Sequence, residues 1–446
     1  MRAAEQKSNS EKFVTAAVAA RAVRPGDTVD FGFSAGFADL MDEAIADRRE
    51  ELTDVTIRGG LVIGDRIRTV ESDPEQKAFH YVSWHIGDTE RKLQSKGLVS
   101  FLPMILRYVP YYFRHGDLRC DVACVPVSTP DADGFFGLGI SNFAWRAILE
   151  SARTVIFEVN EHYPTLHGVD GSHRVHVSEA DFVVEGPHAP LPTRSYPEPS
   201  KEEIRIAQHV LSCIPNGATL SLGVGGVPFT VAKMVAESEL MNIGCHTGTL
   251  SDAFLAIHRA GKLTNSKKAI DTGLSTWNLA TGSAEFYEWL REEPDIFRPD
   301  SVDYVHDPAR IAQMKNVVSI NGGVEVDLLG QENAESNGHR QLSGTGGQLD
   351  FLEGAFRSDG GKGFICMKST YTRKDGSKKS SITAQITPGS VVSAPRALVQ
   401  YVATEYGVAN LAGKTVPDRA RSLIAIAHPD FREELTQAAI SAGLIK

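Results

Sequence analysis

Apolar residues in this chain fall into two alternating patterns. Continuous Val/Ile/Leu-rich runs such as TVIFEVN (154–160) and NVVSIN (316–321) predict buried strands. Runs with apolar positions three and four apart, such as FADLMDEAIADRRE (37–50) and KEEIRIAQHVLSCI (201–214), predict amphipathic helices. Strands apolar on both faces and separated by helices indicate an α/β fold with a mostly parallel sheet, covered on each side. Glycine-rich turns break the pattern at GVGGVP (223–228) and SGTGGQLDF (343–351), and IGCHTGTLSD (243–252) reads as a further turn-rich stretch. Ligands of such sheets bind where loops leave the carboxyl ends of strands, which makes these stretches the candidate site.

One segment reads as a linker. GPHAPLPTRSYPEPS (186–200) holds five prolines, which exclude a regular helix and favour extended chain. It separates an N-terminal α/β domain over 1–190 from a C-terminal one over 201–446. The halves echo each other: Gly26 falls over Gly217 and Gly32 over Gly223, an offset of 191 residues without gaps. CDVACVPVSTPDADGFFG (120–137) and KNVVSINGGVEVDLLG (315–330) form a second pair at nearly that offset, which points to duplication.

Composition narrows the class. A chain of 446 residues is long for one domain. A net charge of −10 argues against a nucleic-acid surface, though not against a polyanionic small molecule met by local Lys and Arg. Five cysteines match neither a disulfide framework nor a zinc knuckle. No run approaches the length of a membrane helix, and MRAAEQKSNSEKF has no apolar signal-peptide core. A cytoplasmic protein with no membrane partner is the expectation.

Longer blocks carry a resemblance. VDYVHDPARIAQ (302–313), SGTGGQLDFLEGAFRSDGGK (343–362) and the run from Ser393 to Leu435 stand in order with SINGGVEVDLLGQ (319–331), STPDADGFFGLG (128–139) and VNEHYPTLHG (159–168). Together they resemble the acetyl-CoA hydrolase and 4-hydroxybutyrate CoA-transferase family, fused single-chain members of the class I CoA-transferases. The resemblance implies two related open α/β domains with the active site between them, in a homodimer or larger assembly. It also implies acyl-CoA thioester chemistry, with coenzyme A arriving as substrate and no permanent cofactor. Family members use a glutamate that attacks the thioester and then carries CoA to a carboxylic acid, or lets water finish the reaction.

Against that pattern, two positions depart. The glutamate of the family's His-Thr-Glu segment aligns with Gly248, and an Asn that helps to hold it aligns with His306 of Val305-His306-Asp307-Pro308. By resemblance the backbone N–H groups of Val224, Gly225 and Gly347 form an oxyanion hole, and Glu405 is the family glutamate that supports the nucleophile. Glycine cannot carry CoA, so water activated by His306, Glu405 or His246 is the simplest replacement. Cys245 reads as buried core rather than an acyl carrier.

Other candidates are weaker. Gly344, Gly346 and Gly347 with Arg340, Lys362 and Lys368 are candidates for the phosphates of CoA, while TRKDGSKKSS (372–381) reads as a solvated hairpin. Phe37, Phe135 and Phe136 are candidate acyl-pocket residues or core. The histidines of HYPTLHGVDGSHRVH (162–176) lack metal-ligand spacing, so no metal is expected. Hydrolysis or retro-Claisen cleavage of an acyl-CoA is therefore favoured. A CoA-transferase with a carboxylate relocated to Glu237 or Glu239 and a non-catalytic acyl-CoA-binding protein remain as alternatives.

Overall fold

The structure, a computed structural model, describes residues 9–166 and 168–446. It divides into two compact units: residues 1–194 with 276–305, and residues 195–275 with 306–446. The chain thus returns to the first unit after leaving it. Segment 276–305 holds its place there through backbone bonds from Asn142 N to Asn278 O, Ala280 N to Ile140 O and Val302 N to Phe143 O. Leu279 and Val302 join that unit's core.

In the first unit seven parallel strands lie in the order Phe182–Glu185, Thr154–Val159, Val122–Val127, Thr28–Asp30, Val55–Gly59, Phe79–Ser83 and Val99–Phe101. Two cores flank the sheet, one around Trp145 and Phe157, the other around Phe31 and Ile57. In the second unit Gly244–Leu250, Thr219–Leu222, Val317–Gly322, Lys362–Cys366 and Tyr401–Thr404 are parallel, and Gly407–Asn410 closes an antiparallel edge.

Strand order reverses at Thr28–Asp30 in one unit and at Thr219–Leu222 in the other, and these are the strands paired by the offset of 191. The second sequence pair also matches, because Val122–Val127 and Val317–Gly322 each lie beside the reversal strand. A reversal point is where an open α/β sheet forms its crevice.

Several local expectations hold. TVIFEVN contains the strand Thr154–Val159, KEEIRIAQHVL forms the helix Lys201–Leu211 under a Ser200 capping box, and 372–381 turns between the antiparallel strands Thr370–Thr372 and Lys378–Ser380. The helix expected over 37–50 is shorter, Asp39–Ala46. One reading is overturned: IGCHTGTL is not a loop but the strand Gly244–Leu250. Its small and polar residues have poor strand propensity, yet a neighbouring parallel strand overrides it. The Thr247 hydroxyl bridges Leu222 N and O at 3.3 and 3.4 Å.

Candidate functional site

Alternation along Gly244–Leu250 puts Cys245 and Thr247 on one face and His246 and Gly248 on the other. Cys245 is buried, and burial pushes its thiol up to about 12, so it is core and not a nucleophile. Thr247 is level with Leu222, so Gly248 stands at the carboxyl ends of the strands, beside the turn Gly223–Gly225. That turn leads straight into the helix Gly226–Glu237 with Pro228 in its first turn, and Val224 at its tip is 38% exposed. Gly225 has φ 155°, a conformation that side chains rarely adopt.

The imidazole of His306 packs against both glycines of the site. A Cβ placed on Gly248 would lie 2.9 Å from His306 Nε2, and one placed on Gly347 would lie 2.4 Å from His306 Cε1. Both positions therefore have to be glycine for the ring to sit where it does. His306 is 2% exposed, and its Nδ1 lies 3.3 Å from Oδ2 of the buried Asp350. A carboxylate only accepts, so Nδ1 donates to Asp350, and Nε2 is the ring nitrogen on the side of Gly248.

Asp350 owes its position to the helix Gln348–Arg357, for which Gly347 is the N-cap. It is an acidic residue of the first turn, where the helix dipole favours negative charge. The adjoining short helix Pro308–Ile311 packs tightly here: a Cβ on Gly354 would meet Ile311 Cβ at 2.6 Å. Phe351 stands between two imidazoles, 5.1 Å from His306 and 6.3 Å from His246, both edge-on.

The structure thus gathers His246, Gly248, His306 and Gly347 and adds Asp350 and Phe351, which sequence reasoning missed. The signal was present in SGTGGQLDF as an acid three residues after an N-cap glycine, but its partner lies 44 residues away.

Glu405 does not join this cluster. Its carboxylate accepts from Ser369 N at 2.9 Å and Ser369 Oγ at 2.5 Å. It follows the strand Tyr401–Thr404, four strand spacings (roughly 19 Å) from the strand of Gly248. Glu237 and Glu239 are also remote, because Glu237 ends the helix that Gly226 begins, about 16 Å along its axis. No carboxylate reaches Gly248 from there.

Among the cationic candidates, Lys368 follows Cys366 by two residues at the carboxyl ends and pairs with Glu203 at 3.8 Å. Lys362 begins the same strand, so it sits at the opposite edge of the sheet. Arg340 is exposed on a small hairpin with Ser336–Asn337, and Gly344 and Gly346 lie in the loop before Gly347. In the first unit Phe136 is fully buried against Phe157, Phe37 packs on Phe31, and Phe135 stacks under Arg174 at 4.7 Å. These are packing roles. Of the histidine-rich loop, His173 is buried with Nε2 on Gly139 O, and burial lowers its pKa to about 4; His167 lies outside the described residues.

Comparison with known proteins decides the family. The acetyl-CoA hydrolase/transferase N-terminal domain matches residues 1–193 and the C-terminal domain of that family matches residues 282–439. A probable butyrate:acetyl-CoA coenzyme A-transferase of Syntrophomonas wolfei is 40% identical, covering 96% of this chain and 95% of that one. The chain belongs to the acetyl-CoA hydrolase/transferase family. A butyryl-CoA:acetate CoA-transferase of Anaerostipes caccae is 39% identical over 97% of both chains. Among solved structures, RipA from Yersinia pestis superposes with a TM-score of 0.89 at 32% identity, covering 98% of this chain and 99% of that one. A 4-hydroxybutyrate CoA-transferase from Porphyromonas gingivalis reaches 0.79 at 30% identity, covering 97% and 98%.

As a member of the acetyl-CoA hydrolase/transferase family, the protein is an enzyme acting on acyl-CoA thioesters. Among the described residues no helix is long and apolar enough to cross a membrane.

Proposed function

We propose that this enzyme hydrolyses an acyl-CoA, with water as the attacking group and His306 as its base. The observation that carries the reading is the His306 imidazole packed against Gly248 and backed by Asp350. By the sequence reading Gly248 takes the place of the family's CoA-carrying glutamate. A Cβ there already comes within 2.9 Å of Nε2, so a glutamate at 248 and an imidazole at 306 exclude each other. The two substitutions make sense together: one removes the nucleophile and the other fills its space with a base.

The chemistry follows from the groups in place. Nε2 takes a proton from water, and the hydroxide formed attacks the thioester carbonyl. Negative charge on the carbonyl oxygen is met by preorganised backbone N–H groups at Gly347 and at the Val224–Gly225 turn. The C–S bond breaks and the imidazolium returns the proton to the thiolate, so a carboxylic acid and free CoA leave. Asp350 fixes the tautomer and stabilises the charged ring.

The test is thiol release from a panel of acyl-CoAs, including β-keto and aromatic ones, with and without added acetate or butyrate. Release independent of acid is expected, and product analysis tells C–S from C–C cleavage. Dependence on added acid would overturn the reading. Exchange of His306→Gln is expected to lower kcat by about 10²–10⁴-fold. Replacing both positions, Gly248→Glu with His306→Asn, is expected to make turnover depend on the added carboxylate, whereas Gly248→Glu alone gives an inactive protein.

A further inference from the structure

A second carboxyl group lies behind this site with one oxygen unspoken for. Glu332 is fully buried on the short strand Glu332–Asn333. Its Oε1 accepts from Gln348 Nε2 at 3.0 Å, while its Oε2 is buried without a hydrogen-bond partner among the described residues. The group sits over the loop that leaves Val317–Gly322, because a Cβ on Gly323 would lie 3.2 Å from Glu332 Oε1.

Gln348 is the first residue of the helix whose N-cap is Gly347 and whose first turn holds Asp350. One hydrogen bond therefore connects Glu332 to the turn that carries both supports of His306. Its own backbone is tied down by Ala394, through Glu332 N to Ala394 O at 3.0 Å and Ala394 N to Glu332 O at 3.2 Å. A buried carboxyl with a spare oxygen costs stability and has no packing reason to persist.

We propose that Glu332 is a positioning residue of the reaction site: it holds Gln348, and with it the first turn that presents the Gly347 amide and the Asp350 carboxylate to His306. The inference rests on the reading of His306 as base. Burial, with the nearby Glu335 adding to it, raises the Glu332 carboxyl to about 8, so it is protonated at neutral pH. The titratable groups around it are Glu335, which accepts from Gln341, Thr345 and Ser393, and Glu325 on the facing strand, which accepts from Asn333 and Thr387. Asp350 lies beyond Gln348 on the helix. Ionisation would add a buried negative charge beside amides that must meet a developing oxyanion, and the rate would fall.

The experiment compares kcat against pH for wild type, Glu332→Gln and Glu332→Met, with thermal unfolding at each pH. Wild type is expected to lose activity about tenfold per pH unit above about 8, and Glu332→Gln to keep its neutral rate within about threefold while losing that limb. Glu332→Met, which fills the space without a bond to Gln348, is expected to lower kcat about tenfold with KM little changed. The Tm advantage of Glu332→Gln over wild type is expected to grow as pH rises from 5 to 8 and then level off, because the folded state binds the proton more tightly than the unfolded chain across that window. An alkaline limb that survives in Glu332→Gln, or a Tm gap that opens while both rate profiles stay those of wild type, would overturn the proposal. Full turnover in His306→Gln together with a lost limb in Glu332→Gln would overturn the base assignment and leave Glu332 in its role.

Discussion

The turns after the two reversal strands have opposite fates. In the first unit Thr28–Asp30 runs into a tiny hairpin, Gly32–Phe33 against Gly36–Phe37, with Phe31, Phe33 and Phe37 all buried. Phe33 stacks on Phe143 at 4.5 Å, and a Cβ on Gly32 would collide with Gly36 O at 2.2 Å. Beyond it, the first amides of the helix Asp39–Ala46 are already spent, because Leu40 N and Met41 N donate to Glu158 at 3.2 and 2.9 Å. In the second unit the same topological turn stays open, with Val224 exposed, and the glycines at 248 and 347 make room for an imidazole instead of sealing a hairpin. One topology thus serves packing in one unit and, under the proposed function, chemistry in the other, and what differs is what fills the space next to glycine.

The comparison is broken most directly by adding one methyl group in each unit. Gly347→Ala is expected to lower kcat by about 10²-fold with modest change in Tm, because the methyl displaces His306. Gly32→Ala is expected to destabilise the fold by about 1–3 kcal/mol while kcat per folded molecule is kept. Steady-state kinetics alongside thermal unfolding checks both, and the opposite assignment of effects would mean that the open turn is not the reacting one.

Glu158 gives a smaller effect of defined sign. Burial is the main reason its carboxyl is raised from 4.5 to about 8, against the two amide bonds that lower it. The folded state therefore holds the proton more tightly than the unfolded chain between those values. Its contribution to stability is full below about 4.5 and is lost as pH climbs through 8. Glu158→Gln is expected to gain on wild type by on the order of 3 kcal/mol between pH 5 and pH 8, read as a widening Tm gap with unchanged kcat.

Least of all, Lys368→Ala at the carboxyl ends is expected to raise KM for acyl-CoA about threefold, and Lys362→Ala at the amino edge to leave it unchanged. Lys368 is 44% exposed and shares its charge with Glu203, which keeps the effect small.

Periodicity alone determined the fold class here. Apolar runs at TVIFEVN and NVVSIN and the 3.6-residue rhythm of KEEIRIAQHVL are local properties, and the strands and helix appear where those patterns lie. The offset of 191 likewise paired the two strands that the structure places at the reversal points, because a strand followed by a glycine turn is written in contiguous residues. The family blocks made Gly248, His306 and Gly347 legible as special positions.

Only the tertiary structure decided the rest, and the reason is distance along the chain. IGCHTGTL is a strand because Thr219–Leu222 lies beside it, against its own propensities. His306 and Asp350 meet across 44 residues, and Gln348 and Glu332 across 16. Glu405 lies four strands from Gly248, a separation no spacing in the sequence records. A pattern along the chain specifies which face of an element is buried. Which side chains from different elements share that face is set only when the elements pack.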